Sequence, residues 1–246
     1  MRPTTEDLPA FHSHPMPFTR IELAVLSIVE GGLAVLLGKR EQAPHKGKWA
    51  LPGGVLRIDL DADLGAAAQR VAGERMGVAL PFLRLVTAVG GRSRDPRAPW
   101  ALAIVYRALV PLDAFDPKAG KRLEDLRWVP VDEAAADARL AFDHAELVRG
   151  ATEETRAEID RLDLPFGFLP EKFTLGELQG TCEALLGRRL DKSSFRRRLD
   201  ERGLLQPIRG EMRTGAFRPA QLYRPVDRAS ERTKTVKERV RKETES

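Results

Sequence analysis

Three consecutive arginines, Arg196-Arg197-Arg198, follow Lys192 and Ser193 in the stretch Asp191-Lys192-Ser193-Ser194-Phe195-Arg196-Arg197-Arg198-Leu199. Guanidinium and ammonium groups donate to phosphate oxygens, and arginine also matches the paired acceptors on a guanine edge. Phe195 and Leu199 are four apart, the spacing of one helix face, so an inward apolar stripe leaves Lys192, Ser193, Arg196 and Arg197 to face a groove. A second group of reactive residue types lies upstream. Gly53-Gly54 precede Arg57, and Arg70-x-x-x-Glu74-x-x-Gly77-Val78 follows. Arg57, Glu74 and Arg97, the last within Arg94-Asp95-Pro96-Arg97, are candidate ligand contacts, the arginines toward phosphate. The competing reading of any single arginine is a surface ion pair, and that of an arginine run is a solvated face.

The elements that must hold these residues are legible from periodicity. Ile21–Val29 and Leu33–Arg40 alternate as two strands around Glu30-Gly31-Gly32, a hairpin. Residues 61–76 predict a helix with an aspartate cap, stopped by Gly77. Strands are expected at Phe82–Val89, Trp100–Val110 and Leu126–Pro130, a helix start at Val131–Ala134, and a helix across residues 143–162. In that setting Trp49 and Phe142 read as core residues and His144 as a helix-start residue. The sequence Leu164-Pro165-Phe166-Gly167-Phe168-Leu169-Pro170 breaks the pattern and marks a packed boundary. Beyond it, Thr174 and Glu177 have capping-box spacing ahead of a helix whose apolar face includes Leu178 and Cys182, so Cys182 reads as a buried core thiol. The arginine helix ends at Gly203. Leu204–Ile208 and Pro219–Arg224 then pair as strands around a basic tip carrying Arg213 and Arg218, a winged helix in outline. The expected organisation is an arm over 1–19, a ligand-sensing domain over 20–160, a linker over 161–170, a DNA-binding domain over 171–227 and a charged tail over 228–246.

Charge agrees with that division. Residues 1–170 hold 22 Lys and Arg against 24 Asp and Glu, while residues 171–246 hold 19 against 12, so the whole excess of +5 comes from the smaller part. A hydrophobic fraction of 42% with 31% charge is that of a folded chain. A single cysteine excludes an internal disulfide and a thiolate zinc site, and suits a reducing cytoplasm. No apolar run reaches the roughly 20 residues of a membrane helix, so no membrane partner is expected.

The segment from Gly53-Gly54 to Arg70-x-x-x-Glu74-x-x-Gly77-Val78, with Trp49-Ala50-Leu51-Pro52 before it and Leu126-Arg127-Trp128-Val129-Pro130 after it, resembles the Nudix box and its surroundings, whose pattern is G-x5-E-x7-R-E-U-x-E-E-x-G-U with U aliphatic. The resemblance implies an α+β fold: a Nudix-like mixed β-sheet with flanking helices, followed by a small winged helix-turn-helix domain. Nudix hydrolysis relies on Mg²⁺ held by helix carboxylates at i, i+3 and i+4. Here those positions are Val71, Glu74 and Arg75, Ala62 stands at the place of the earlier glutamate, and the loop is two residues longer. A guanidinium about 4 Å from a divalent ion is repelled by several kcal/mol at an effective dielectric near 20. Neither a metal site nor a catalytic residue is therefore expected. Asp59, Asp61 and Asp63 read as capping residues rather than substitute ligands.

Together with Leu190–Arg198 and Arg218-Pro219-Ala220-Gln221-Leu222-Tyr223-Arg224, the chain resembles the Nudix-related transcriptional regulators, the NrtR family, over nearly its whole length. That resemblance implies a small nucleotide effector, ADP-ribose or a related NAD metabolite, no bound cofactor, operator DNA upstream of NAD-metabolism genes, and a homodimer. The alternative it leaves is a Nudix hydrolase of the ADP-ribose pyrophosphatase type with an accessory nucleic-acid-binding domain.

Overall fold

A computed structural model describes residues 16–214 and 219–226 of the chain. Most of the expected arm, the whole of the expected tail, and Arg218 lie outside the described residues. Contacts divide the chain into two compact units, Met1–Glu154 and Thr155–Ser246.

The first unit is built around β1 (Phe18–Val29), whose alternation sends Ile21, Leu23 and Val25 to one face. β1 turns through Glu30 and Gly31, both at positive φ, into antiparallel β2 (Gly32–Arg40), with Leu26 opposite Val35 and Val29 opposite Gly32. β3 (Trp49–Ala50) and β7 (Leu123–Pro130) pair with β2, while β4 (Gly53–Val55) pairs with the start of β1. On the other side β1 runs parallel to β6 (Ala101–Leu109), which carries β5 (Arg84–Gly91) antiparallel at the sheet edge.

α1 (Leu64–Met76) lays Ala67, Ala68, Val71, Ala72 and Met76 on Ile21, Leu23, Val25 and Ile104 to close the core. Small residues let helix and sheet approach closely. A Cβ on Gly54 would stand 2.7 Å from Val71 Cγ2, so this position admits only glycine unless α1 retreats. The helix starts at Leu64 rather than Asp61 because Asp63 is the residue whose carboxylate accepts from Ala66 N, and Gly77 ends it at φ 70°. α2 (Val131–Ala136) and α3 (His144–Asp160) complete the helices of this half, and the division between units falls inside α3.

In the second unit α4 (Leu175–Leu186) opens with the expected capping box, Thr174 and Glu177 each satisfying the other's backbone N–H. α5 (Lys192–Arg202) is capped by Asp191 and stopped by Gly203 at φ 56°. β9 (Leu205–Arg213) and β10 (Ala220–Pro225) form the hairpin, and β8 (Phe173–Thr174) adds a third strand in the order β8-β10-β9. Leu178, Cys182, Leu185, Phe195, Leu199 and Leu222 are buried. Burial pushes the Cys182 thiol up to about 12, which leaves it a core residue without thiolate chemistry. The segment expected as a packed boundary buries Leu162 and Leu164 and stacks Phe166 on Phe173 at 5.9 Å.

Candidate functional site

Strand ends and loops of the first unit bring five guanidiniums around one small polar cleft. Arg20 comes from β1, Arg40 from the end of β2, Arg75 from α1, Arg97 from the loop between β5 and β6, and Arg122 from just before β7. Phe142, held at φ 56° ahead of α3, lies beneath three of them: the Arg40 guanidinium carbon stands 5.0 Å from its ring centroid, those of Arg20 and Arg97 each 5.9 Å. Two buried carboxylates offset this charge. Glu22 Oε1 accepts from Arg20 Nε at 2.7 Å, and Asp95 Oδ1 accepts from Arg97 Nε at 2.9 Å.

Like charges crowd the remaining arginines. Burial, then Arg20 and Arg97, hold the Arg40 guanidinium down at about 10, and burial lowers Arg75 as well, reinforced by Arg122, Arg20 and Arg70. Both stay protonated at neutral pH. A site that keeps several partly desolvated cations together gains from a multivalent anion, whose charge relieves their mutual repulsion.

Behind the cleft, His144 begins α3 and is fully buried. Its Nδ1 accepts from Leu51 N–H at 2.9 Å, and its Nε2 stands 3.9 Å from Glu22 Oε1. Burial, with Arg20 next in effect, pushes the imidazole down to about 3, so it is neutral and fixes the backbone that leads into Gly53. The second Glu22 oxygen and His144 Nε2 have no hydrogen-bond partner among the described residues. A Cβ on Gly53 would come within 1.7 Å of that oxygen, which is the reason for glycine here.

The expected ligand residues separate in space. Arg97 lines the cleft. Arg57 is exposed, pairs with Asp59 and does not line the cleft. Glu74 sits beside the cleft, 3.3 Å from Arg70 and 3.6 Å from Arg75. Arg20, Arg40, Arg122 and the role of Phe142 escaped the sequence reading. The available signal was Arg20-x-Glu22 within an otherwise apolar strand, since ionisable residues buried on a strand require partners.

A divalent cation does not suit this donor set. Among the described residues no three His, Cys, Asp or Glu side chains converge on a point. Asp59 serves Arg57, Asp61 accepts from Arg70 at 2.6 and 2.8 Å, and Asp63 caps α1. Val71 is in the core, and Arg75 stands against the one remaining carboxylate of the three helix positions, Glu74.

A more apolar hollow of about 690 Å³ lies beside the cleft, lined among others by Phe18, Val55, Leu56, Pro99 and Trp100. Arg97 of the cleft stands over the Phe18 ring, one of the hollow's lining residues, at 5.0 Å. That volume is within the range of pockets for nucleoside-sized ligands.

The second unit offers a different surface. On α5, Lys192, Ser193, Arg196 and Arg197 are exposed while Phe195 and Leu199 are buried, the arrangement expected from their spacing. Lys192 and Arg196 form no ion pair among the described residues, and Arg197 stands 3.8 Å from Glu201. Arg198 turns inward and donates to Asp160 O. Arg213, expected at the wing's nucleic-acid face, is exposed and also pairs within its own domain, with Glu177 of the α4 capping box and with Lys172 O, to which it donates at 3.1 Å.

The NUDIX domain family matches residues 19–151, and the NrtR DNA-binding winged helix domain family matches residues 165–224. An ADPR responsive transcriptional repressor, NtrR, of Acinetobacter baylyi is 36% identical over 211 residues, covering 86% of this chain and 83% of that protein. The structure of Shewanella oneidensis NrtR complexed with a 27mer DNA is 32% identical with a TM-score of 0.69, over 85% of this chain and 93% of that one. The NUDIX domain of the same regulator complexed with ADP ribose is 26% identical with a TM-score of 0.54, over 61% of this chain and 94% of that one.

Proposed function

This chain belongs to the NrtR family, and from that premise we propose that it is a repressor-type regulator whose first unit senses ADP-ribose and whose second unit binds operator DNA. The observation that carries the reading is the pairing, in one chain, of a cleft lined by five arginines, Arg20 and Arg75 among them buried, with a helix displaying unpaired basic residues to solvent. The diphosphate suits the cleft through Arg20, Arg40, Arg75, Arg97 and Arg122, and a nucleoside suits the apolar hollow across Arg97. In this reading Arg57 and Glu74 are peripheral, Lys192, Ser193, Arg196 and Arg197 meet DNA, and Arg213 braces the wing.

In this reading the ligand is bound rather than cleaved, which the absence of a converging carboxylate set among the described residues supports. Control of DNA then comes from differential affinity: ADP-ribose shifts operator binding only as far as it prefers one geometry of a dimer, and a coupling of about 1–3 kcal/mol is ordinary for such systems. Phe82 and Leu85, both strongly exposed at the β5 edge, support self-association. Operators near NAD-metabolism genes and a cytoplasmic setting complete the proposal; no helix among the described residues is long and apolar enough to cross a membrane.

The test is operator affinity measured at increasing ADP-ribose, with NAD and ADP as comparison ligands. An ADP-ribose-dependent change of about 5-fold to 150-fold is expected. Unchanged operator affinity with every ligand, or magnesium-driven release of AMP, would reject this reading.

A further inference from the structure

Arg75 stands where the helix motif would place a metal-binding carboxylate, and its guanidinium is surrounded by oxygens. Arg75, only 6% exposed, sends Nε to Gly53 O at 2.7 Å and Nη1 to Lys121 O at 3.0 Å, with Glu74 Oε2 3.6 Å from Nη1. Three oxygens from three separate segments thus enclose one guanidinium. Each is fixed. Gly53 is held against Glu22, where any Cβ would collide. The segment carrying Lys121 is hydrogen-bonded to the end of α1, with Lys121 N donating to Glu74 O at 2.8 Å and Gly120 N to Arg75 O at 2.9 Å. A Cβ on Gly120 would lie 2.5 Å from Glu74 O, so the close approach depends on glycine. Two carbonyls and one carboxylate are hard oxygen donors of the kind magnesium and manganese take.

We propose that Arg75 is a tethered cation that replaces the divalent ion of this oxygen cage, so that the cleft binds the diphosphate of its nucleotide without metal. The proposal rests on the ADP-ribose reading for its ligand but not for the cage itself. Nη2 of Arg75 makes no hydrogen bond among the described residues, and Arg75 is one of the residues that line the cleft. Arg20 and Arg122 add positive charge nearby and disfavour a second cation. Unlike a metal, a guanidinium has no coordination position for water and generates no hydroxide, so the same exchange keeps affinity for the anion and removes the nucleophile.

The full chain is titrated with ADP-ribose in excess EDTA and in Mn²⁺, and Mn²⁺ binding is followed by electron paramagnetic resonance without nucleotide. Wild-type affinity should agree within about twofold between the two conditions, with no tight Mn²⁺ site. Arg75→Glu should gain a Mn²⁺ site, lose about tenfold or more in ADP-ribose affinity in EDTA as a charge-assisted hydrogen bond is removed, and recover with Mn²⁺. A tight Mn²⁺ site in wild type, EDTA-sensitive ADP-ribose binding in wild type, or a folded R75E that takes up no Mn²⁺ would overturn the proposal. Silence of wild type toward ADP-ribose would remove the effector reading alone, and the Mn²⁺ comparison would still judge the cage. Should R75E fail to fold, Arg75→Gln decides: undiminished ADP-ribose affinity in EDTA overturns the proposal, and loss supports it.

Discussion

Arg20 in the first unit and Arg196 in the second are the same side chain under opposite conditions. Arg20 is 5% exposed and committed to Glu22, above a phenylalanine ring and among other guanidiniums. Arg196 projects from α5 into solvent with no ion-pair partner among the described residues. The first arrangement is rigid and concave, so it selects a small anion of fixed geometry. The second is convex and open, as required to follow a polymer whose phosphates repeat along a groove. Arginine content therefore says little about the kind of anion recognised; burial and the fixed partners decide it.

The contrast is sharpest in stability. Arg20→Ala leaves the Glu22 carboxylate buried without its partner and is expected to cost about 3–5 kcal/mol in urea unfolding. Arg196→Ala should leave the unfolding midpoint where it was. Comparable losses for both would mean that the cleft arginine is not the structural partner of Glu22.

Function should divide the other way. Arg196→Ala together with Arg197→Ala is expected to weaken operator binding by about 1–3 kcal/mol per base-contacting residue, measured by fluorescence anisotropy, with ADP-ribose affinity retained. Arg40→Ala should do the reverse, lowering ADP-ribose affinity by about tenfold or more while α5 still binds DNA. Joint loss of both activities in either variant would join the two sites more tightly than this comparison allows.

Acid should act on the first unit through His144. Its imidazole is held near 3 in the fold, by burial first and Arg20 second, against about 6.5 in an unfolded chain. The unfolded state therefore takes up the proton first as pH falls. The stability from the neutral imidazole is complete above about pH 6.5 and declines by about 1.4 kcal/mol per unit from there toward pH 3. His144→Gln, which keeps an acceptor for Leu51 N–H, should flatten that slope when urea midpoints are compared at pH 7 and pH 5. The smallest effect concerns salt: Arg197→Ala should reduce the slope of log affinity against log salt by about 1 if Arg197 meets a phosphate. An unchanged slope would place it away from the backbone.

Local structure was legible wherever a short-range rule applies. The hairpin at Glu30-Gly31-Gly32, the Thr174–Glu177 box, the Asp191 cap and the glycines at 77 and 203 follow from backbone conformation and unsatisfied helix-end groups, both readable within a few residues. The outward face of α5 was legible for the same reason, since Phe195 and Leu199 leave only one side for the arginines. The pairing of Arg57 with Asp59, two residues away, is the ion-pair alternative that any exposed arginine carries. The partner of Arg213, Glu177, is thirty-six positions distant, beyond the reach of any local rule.

From the chain of letters alone came the two-part organisation, the class of each part and the substitution of Arg75 within the helix motif. Tertiary structure alone assembled the cleft. Arg20, Arg40, Arg75, Arg97 and Arg122 come from five different segments, and Arg75 finds its oxygens on Gly53 and Lys121 through pairings that span the sheet. Helix caps and strand alternation depend on neighbours along the backbone, whereas an electrostatic site depends on distances through space, and those exist only once strands have chosen their partners.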